Sequence, residues 1–148
     1  MRWHDRAFAE LTPHELYAII ALRERVFIVE QQCAYLDADG VDLVSRHLWA
    51  TADDGALHAY LRIVPAGVKF PEVAIGRVIT APEARGTGLG RELMERGIAA
   101  VGARPIRIGA QAHLEKFYGS LGFTAVSPVY DEDGIPHIEM LRPATPPR

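Results

Sequence analysis

The sequence predicts an α/β fold, a mixed sheet with helices on both faces, and three observations carry that prediction. Short β-branched and apolar runs bounded by turn residues recur at residues 47–51, 56–64, 73–80, 106–111, 123–129 and 135–141. Between them, residues 12–27 and 91–101 place apolar side chains at helical spacing. The third is a glycine-rich string, Arg85-Gly86-Thr87-Gly88-Leu89-Gly90, that joins the run at 73–80 directly to the second helical segment.

Taken in order, residues 3–11 alternate loosely and fit a first strand. Thr12-Pro13-His14-Glu15 is a helix start. Thr12 can cap, Pro13 takes the first helical position where its missing N–H is no loss, and Glu15 can close the capping box. Leu16, Ile19, Ile20, Arg23 and Phe27 follow on one stripe, and the helix is expected to fade near Phe27. Residues 30–45 form a loop rich in Gln, Asp and Gly, and Asp53-Asp54-Gly55 turns a hairpin between the next two strands. Residues 65–71 are a turn region. After the strand at 73–80, the glycine string and the helix at 91–101, Pro105 bounds the strand at 106–111. Residues 113–121 read as a helix, with Leu114, Phe117 and Leu121 on one stripe and Gly122 as its left-handed stop. Residues 123–129 and 135–141 are expected to close the sheet around Asp131-Glu132-Asp133-Gly134. Residues 3–142 then make one domain, and the Pro-rich tail at 143–148 is expected to fray.

Composition narrows the classes. A chain of 148 residues with 49% apolar content suits one domain with an ordinary core. A formal charge of −3 provides no basic field, so no nucleic-acid partner is expected. Cys33 is the sole cysteine, which rules out an internal disulfide and fits a reducing interior. The start, Met1-Arg2-Trp3-His4-Asp5, carries no apolar signal segment, and no run reaches the ~18 apolar residues of a membrane span. The expectation is a cytoplasmic protein without a membrane partner, with a homodimer left open. Asp37-Ala38-Asp39-Gly40 has the look of a calcium loop. An EF-hand, however, wants glutamate at the twelfth position, where Leu48 stands, so no metal site is expected.

The glycine string carries the chemistry. Its glycines allow tight turning and close backbone approach, and the helix that follows aims unpaired N–H groups and a positive dipole end at one point. Such a point suits a phosphate or pyrophosphate. The string lacks the Gly-Lys-Ser/Thr ending of a P-loop, so magnesium-dependent NTP chemistry is not indicated. It also lacks the one-three-six glycine spacing of the dinucleotide fingerprint, and residues 106–111 hold no carboxylate for a ribose.

The spacing Arg-x-x-Gly-x-Gly, with Pro82 three before the arginine, resembles the acetyl-CoA loop of the GNAT superfamily of N-acetyltransferases. Phe117-Tyr118-x-x-x-Gly122-Phe123 resembles that superfamily's second signature, in the same order and separation. Val26-Phe27-Ile28-Val29-Glu30-Gln31, Asp37-x-Asp39-Gly40-x-Asp42, Gly109-Ala110-Gln111-Ala112-His113-Leu114 and Glu132-Asp133-Gly134-Ile135-Pro136-His137 are similar to the small bacterial ElaA group, and together the likeness spans residues 3–141. It implies the GNAT acyl-CoA N-acyltransferase fold, with a mostly antiparallel sheet whose strands ending at Thr80 and Gln111 splay apart. It implies acetyl-CoA as co-substrate, its pantetheine arm bonding to backbone near Val78, Ile79 and Thr80. The cofactor's pyrophosphate would lie along Arg85, Gly86, Thr87, Gly88, Leu89, Gly90 and Arg91. Gln111 stands where many GNAT proteins have asparagine, and would face the pantetheine amides. The implied reaction is direct acetyl transfer to a primary amine, on a small molecule or a peptide.

That reaction needs a neutral amine, a polarised thioester carbonyl and a proton for the leaving thiolate. Tyr118 falls on the superfamily's tyrosine position and is the candidate proton donor; a phenol with a pKa of about 10 is protonated at neutral pH. A backbone N–H of Val78 or Ile79 is the candidate polarising donor. His47, His113, His137, Glu30 and Glu72 all remain open as the base, with His137 the preferred one for its place just after the acidic turn. Two acidic loops, Asp37, Asp39 and Asp42 in one and Asp131, Glu132 and Asp133 in the other, would favour a cationic acceptor if both border the cleft. Cys33 reads as a buried small side chain, since direct transfer needs no acyl-cysteine. Two other functions stay in view. One is an acyl-CoA-binding module without turnover. The other is an acyl-homoserine-lactone-synthase-like enzyme, which Arg23-x-x-Val26-Phe27 and the acidic loop also resemble.

Overall fold

The protein is described here by a computed structural model covering residues 1–145. β1 (Arg2–Ala7), β2 (Arg46–Thr51), β3 (Leu57–Val64) and β4 (Val73–Thr80) pair in sequence order, each antiparallel to the last. β5 (Ile106–Gln111) lies parallel to β4, and β8 (Ile135–Arg142) antiparallel to β5. The short β6 (Thr124–Ala125) and β7 (Tyr130–Glu132) pair in tandem with the far edge of β8. The sheet is therefore mixed and mostly antiparallel, as expected.

Helices cover both faces. α1 (Pro13–Arg23) begins with the expected capping box: Thr12 Oγ1 accepts from Glu15 N–H at 3.1 Å, and Glu15 accepts from Thr12 N–H at 2.9 Å. The helix does not fade near Phe27. It widens into a π-helical run, Glu24–Glu30, whose bonds skip five residues, as from Cys33 N–H to Ile28 O at 3.1 Å. The β-branched Val26, Ile28 and Val29 lose side-chain freedom in a tight α turn. The wider winding accommodates them, carrying the chain past the expected end. α2 (Leu89–Val101) packs on β2, β3 and β4 from the opposite side. α3 (Glu115–Gly119) is shorter than the helix expected at 113–121, because residues 112–114 form a tighter 3-10 turn before it. Gly122 does stop it, at φ +96°.

Two irregularities in the sheet position the site. β4 pairs with β5 only at Val73–Ile106 and Ala74–Arg107, so the parallel pair opens immediately and the two strands diverge toward Thr80 and Gln111. β4 also carries a bulge: Arg62 opposes Gly76, yet Tyr60 opposes Ile79, leaving Arg77 and Val78 against Leu61 alone. Arg77 takes a left-handed φ of +51° there. The extra residue switches side-chain parity, so that Ile75 faces α2 while Ile79 shares the α1 face with Tyr60.

At the C-terminal end the expected strand at 123–129 is broken. Ser127-Pro128 interrupts it, since a proline has no N–H for the ladder. Ser127 Oγ accepts from Glu139 N–H at 2.9 Å in its place. The acidic turn is tighter than expected, because Tyr130–Glu132 is strand and only Asp133 (φ +53°) and Gly134 (φ +81°) turn the hairpin. Thr145 N–H bonds Ala103 O at 2.8 Å, holding the start of the tail. Residues 146–148 of the tail expected to fray lie outside the described residues. No helix among the described residues is long and apolar enough to cross a membrane.

Candidate active site

Where β4 and β5 part, a cleft of about 670 Å³ opens between them. Beyond Ala74 the β4 edge that faces β5 has no strand partner among the described residues, so its backbone groups are left for whatever enters. Of the residues singled out from the sequence, Val78, Ile79, Thr80, Arg85, Gln111, Tyr118 and His137 all line this cleft. Gly86, Thr87, Gly88, Leu89, Gly90 and Arg91 do not. They form the loop and first turn of α2, next to Arg85.

That first turn leaves its backbone N–H groups without a side-chain cap. Gly88 is the N-cap of α2 at φ +82°, and no side chain caps the helix. A Cβ at Gly86 or Gly88 would meet nothing within 4 Å, so the ground above the loop is open. Leu89 is buried and offers only its backbone, and Arg91 is held by Glu95 and Ser120. Arg85 is likewise engaged: Glu30 grips it at 2.6 and 3.1 Å.

Tyr118 stands on α3 against the opposite bank, edge-on to Phe117 and Phe123. Burial pushes its phenol up to about 12. On β8, His137 Nδ1 sits 2.7 Å from Ile135 O, a pure acceptor, so Nδ1 carries the proton and donates. In the neutral ring Nε2 then holds the lone pair. Glu132 Oε2 lies 3.4 Å from Nε2.

Residues 27–142 match the family model described as an acetyltransferase (GNAT) domain. The chain belongs to the GNAT acetyltransferase family. Within it the protein is ElaA-like: it is 43% identical to Protein ElaA of Escherichia coli, over 96% of each chain. The crystal structure of an acyl-CoA N-acyltransferase from Pseudomonas aeruginosa is 46% identical and superposes with a TM-score of 0.90, covering 96% of this chain and 99% of that one. An aminoglycoside 6'-N-acetyltransferase complexed with coenzyme A shares the fold at 16% identity, with a TM-score of 0.68 over 98% and 99% of the chains.

The GNAT scaffold here corrects the list of candidate bases. His47 is buried and spent structurally, with Nδ1 2.6 Å from Tyr60 Oη and Nε2 2.9 Å from Asp42 O; burial lowers its pKa. Glu72 is outside the cleft and bonded twice to Arg107, which holds its carboxyl below the usual range. Glu30 lines the cleft, but Arg85 holds it below the usual range and occupies both oxygens. His113 and His137 both line the cleft, and His137 alone of the two has its ring fixed by hydrogen bonding among the described residues.

The first acidic loop is also corrected. Asp37, Asp39 and Asp42 are not a free acidic rim, because three arginines neutralise them. Arg23, fully buried on α1, reaches Asp42 at 2.7 Å and Asp37 at 2.9 Å. Arg62 on β3 bonds Asp39 and Asp42 at 2.8 and 3.0 Å, and Arg77 from the bulge approaches Asp37 at 3.0 Å. Burial pushes the Asp39 and Asp42 carboxyls up, but the arginine hydrogen bonds outweigh it: Asp39 ends well below the usual carboxylate range, and Asp42 is lowered too. Sequence reasoning missed these arginines. The signal was there in Arg62, a lone charge inside the apolar strand Ala59-Tyr60-Leu61-Arg62-Ile63-Val64, because such a charge survives burial only when paired.

Proposed function

We propose that this GNAT protein transfers an acetyl group from acetyl-CoA directly to a primary amine. The observation that carries the reading is the conjunction of three features: the unpartnered β4 edge and Tyr118 in one cleft, and the uncapped N-terminus of α2 beside Arg85 at its margin. The residues fit the cofactor. N–H groups of the first α2 turn, uncapped and beside open left-handed glycines, suit a pyrophosphate. The free β4 edge suits the amides of the pantetheine arm. Acetyl-CoA supplies the activated thioester carbon. A backbone N–H of Val78 or Ile79 polarises its carbonyl. His137 Nε2 takes the proton that the amine gives up as its lone pair bonds to carbon. Tyr118 gives its hydroxyl proton to sulfur as the carbon–sulfur bond breaks. Gln111, on β5 across the gap, is placed to bond the pantetheine arm.

Thiol release from acetyl-CoA across a panel of primary amines tests this reading. Turnover with none of them, alongside intact coenzyme A binding, would make the protein an acyl-CoA-binding module instead. The cofactor loop has its own test. Gly88→Asn and Gly88→Asp both suit a left-handed position, but only aspartate sets a negative charge against the pyrophosphate. Calorimetry with coenzyme A should show the Asp variant weaker than the Asn variant by on the order of tenfold or more. Equal affinities would remove the loop from the binding site.

The base is tested by the shape of a pH profile. His137→Asn keeps an N–H for the Ile135 carbonyl and removes the basic nitrogen. The acid limb of kcat/KM, which reports protonation of the free enzyme's base, should disappear in this variant. Retention of that limb would assign it to another group, with His113 next in line.

A further inference from the structure

We infer that the acceptor is a free, narrow alkyl amine and not a lysine on the surface of a folded protein; the inference rests on the N-acetyl transfer proposed above. The cleft between β4 and β5 has two banks on the side away from α2. One is the π-helical run and the loop after it, which contribute Phe27, Cys33 and Tyr35. The other is the β7–β8 hairpin, which contributes Tyr130, Ile135 and His137. The banks do not stay apart. Cys33, buried on the first bank, donates its thiol hydrogen to the backbone carbonyl of Asp133 at the hairpin tip, 3.0 Å away and a hundred residues along the chain.

Both supports of this bridge are tied to their surroundings. The loop bank is held by the arginine–aspartate cluster, with Tyr35 under the Arg77 guanidinium, 5.4 Å from ring centre to charge. The hairpin tip is fixed by its two left-handed residues and by Asp131 Oδ2, which accepts from Gly134 N–H at 3.2 Å. The gap is therefore spanned, and an acceptor reaches His137 and the thioester through an aperture. A broad protein surface cannot settle into it, and a lysine held on such a surface is kept back by its neighbours. A slender chain ending in an amine can pass, with aromatic walls from Phe27, Tyr35 and Tyr130 to bury its methylenes.

Thiol release and mass spectrometry with three probes decide it: n-pentylamine, (1-adamantylmethyl)amine (the adamantylamine probe, with its NH2 on a CH2 like that of pentylamine) and the lysines of folded lysozyme. Pentylamine should be acetylated with a kcat/KM roughly tenfold or more above adamantylamine, a discrimination that pocket shape can supply. Lysozyme should remain unmodified. Cys33→Ala removes the bridging donor and should narrow the gap between pentylamine and adamantylamine, whereas Cys33→Ser keeps a donor and should retain it. Acetylated lysozyme, or adamantylamine turned over as well as pentylamine, overturns the aperture while leaving N-acetyl transfer standing. Absence of thiol release with every amine tested overturns the transfer reading and this inference with it.

Discussion

Replacing Tyr118 with phenylalanine should cut turnover by about 10²–10⁴-fold, the usual contribution of a positioned acid or base, with coenzyme A affinity retained. The structure makes this a clean substitution. The ring packs edge-on against Phe117 and Phe123, and phenylalanine keeps those contacts. Burial has pushed the phenol up to about 12, so it stays protonated, and able to donate, throughout the working pH range. Steady-state kinetics with n-pentylamine, together with calorimetry on coenzyme A, separate the two effects. Turnover within about twofold of the parent, well below what a general acid contributes, would leave Tyr118 as a packing residue of α3 and move the proton donor elsewhere.

What could be read from the sequence depended on whether a feature was local. The capping box of Thr12 and Glu15, the glycine string before α2, and the Tyr118 to Gly122 helix end are each written within a few residues. All three stand where the pattern put them. The bulge at Arg77 was hidden because residues 73–80 read as one apolar run. Only the pairing to β3, at Tyr60 and Arg62, reveals the extra residue. The π-helical run was missed for a related reason, since a stripe at helical spacing does not register a change of winding at Glu24. The acidic loop misled because its partners arrive from α1, β3 and β4, far apart in sequence. A row of aspartates looks solvated until Arg23, Arg62 and Arg77 are brought over it. Candidate bases failed in the same way: nothing near His47 in the chain announces Tyr60 Oη, and nothing near Glu72 announces Arg107.

Arg23→Met should give the largest loss of stability of any single change considered, about 3–5 kcal/mol, the range for breaking one side of a buried ion pair. Arg23 has no exposed side-chain surface, and its two partners, Asp37 and Asp42, are themselves almost fully buried. Burial alone would lower the Arg23 pKa, but Asp42, Tyr60 and Asp37 outweigh it and raise it, so the guanidinium is charged at every accessible pH. Removing it leaves Asp37 with Arg77 at the edge of the cluster and Asp42 with Arg62 alone. The methionine has much the same volume, so the loss reports charge more than cavity. The pH dependence follows from the direction of the shifts. Asp39 and Asp42 bind protons more weakly folded than unfolded. Their contribution is therefore full above the unfolded carboxylate range near pH 4 and is lost as pH falls through their lower folded values. His47, buried in the neutral form, adds a shallower loss that begins as pH drops below about 6.5. Urea unfolding of the parent should then hold steady at neutral pH and weaken on acidification. In Arg23→Met, Asp42 has lost one of the two arginines that keep it ionised, so its folded pKa moves back toward the unfolded value and its share of the acid loss should shrink. A loss below about 1 kcal/mol at pH 7, or a fall in stability between pH 7 and acid pH as large in the variant as in the parent, would mean that the six charges are no better than surface pairs. The loop bank of the cleft would then owe its order to packing around Phe27 and Tyr35 instead.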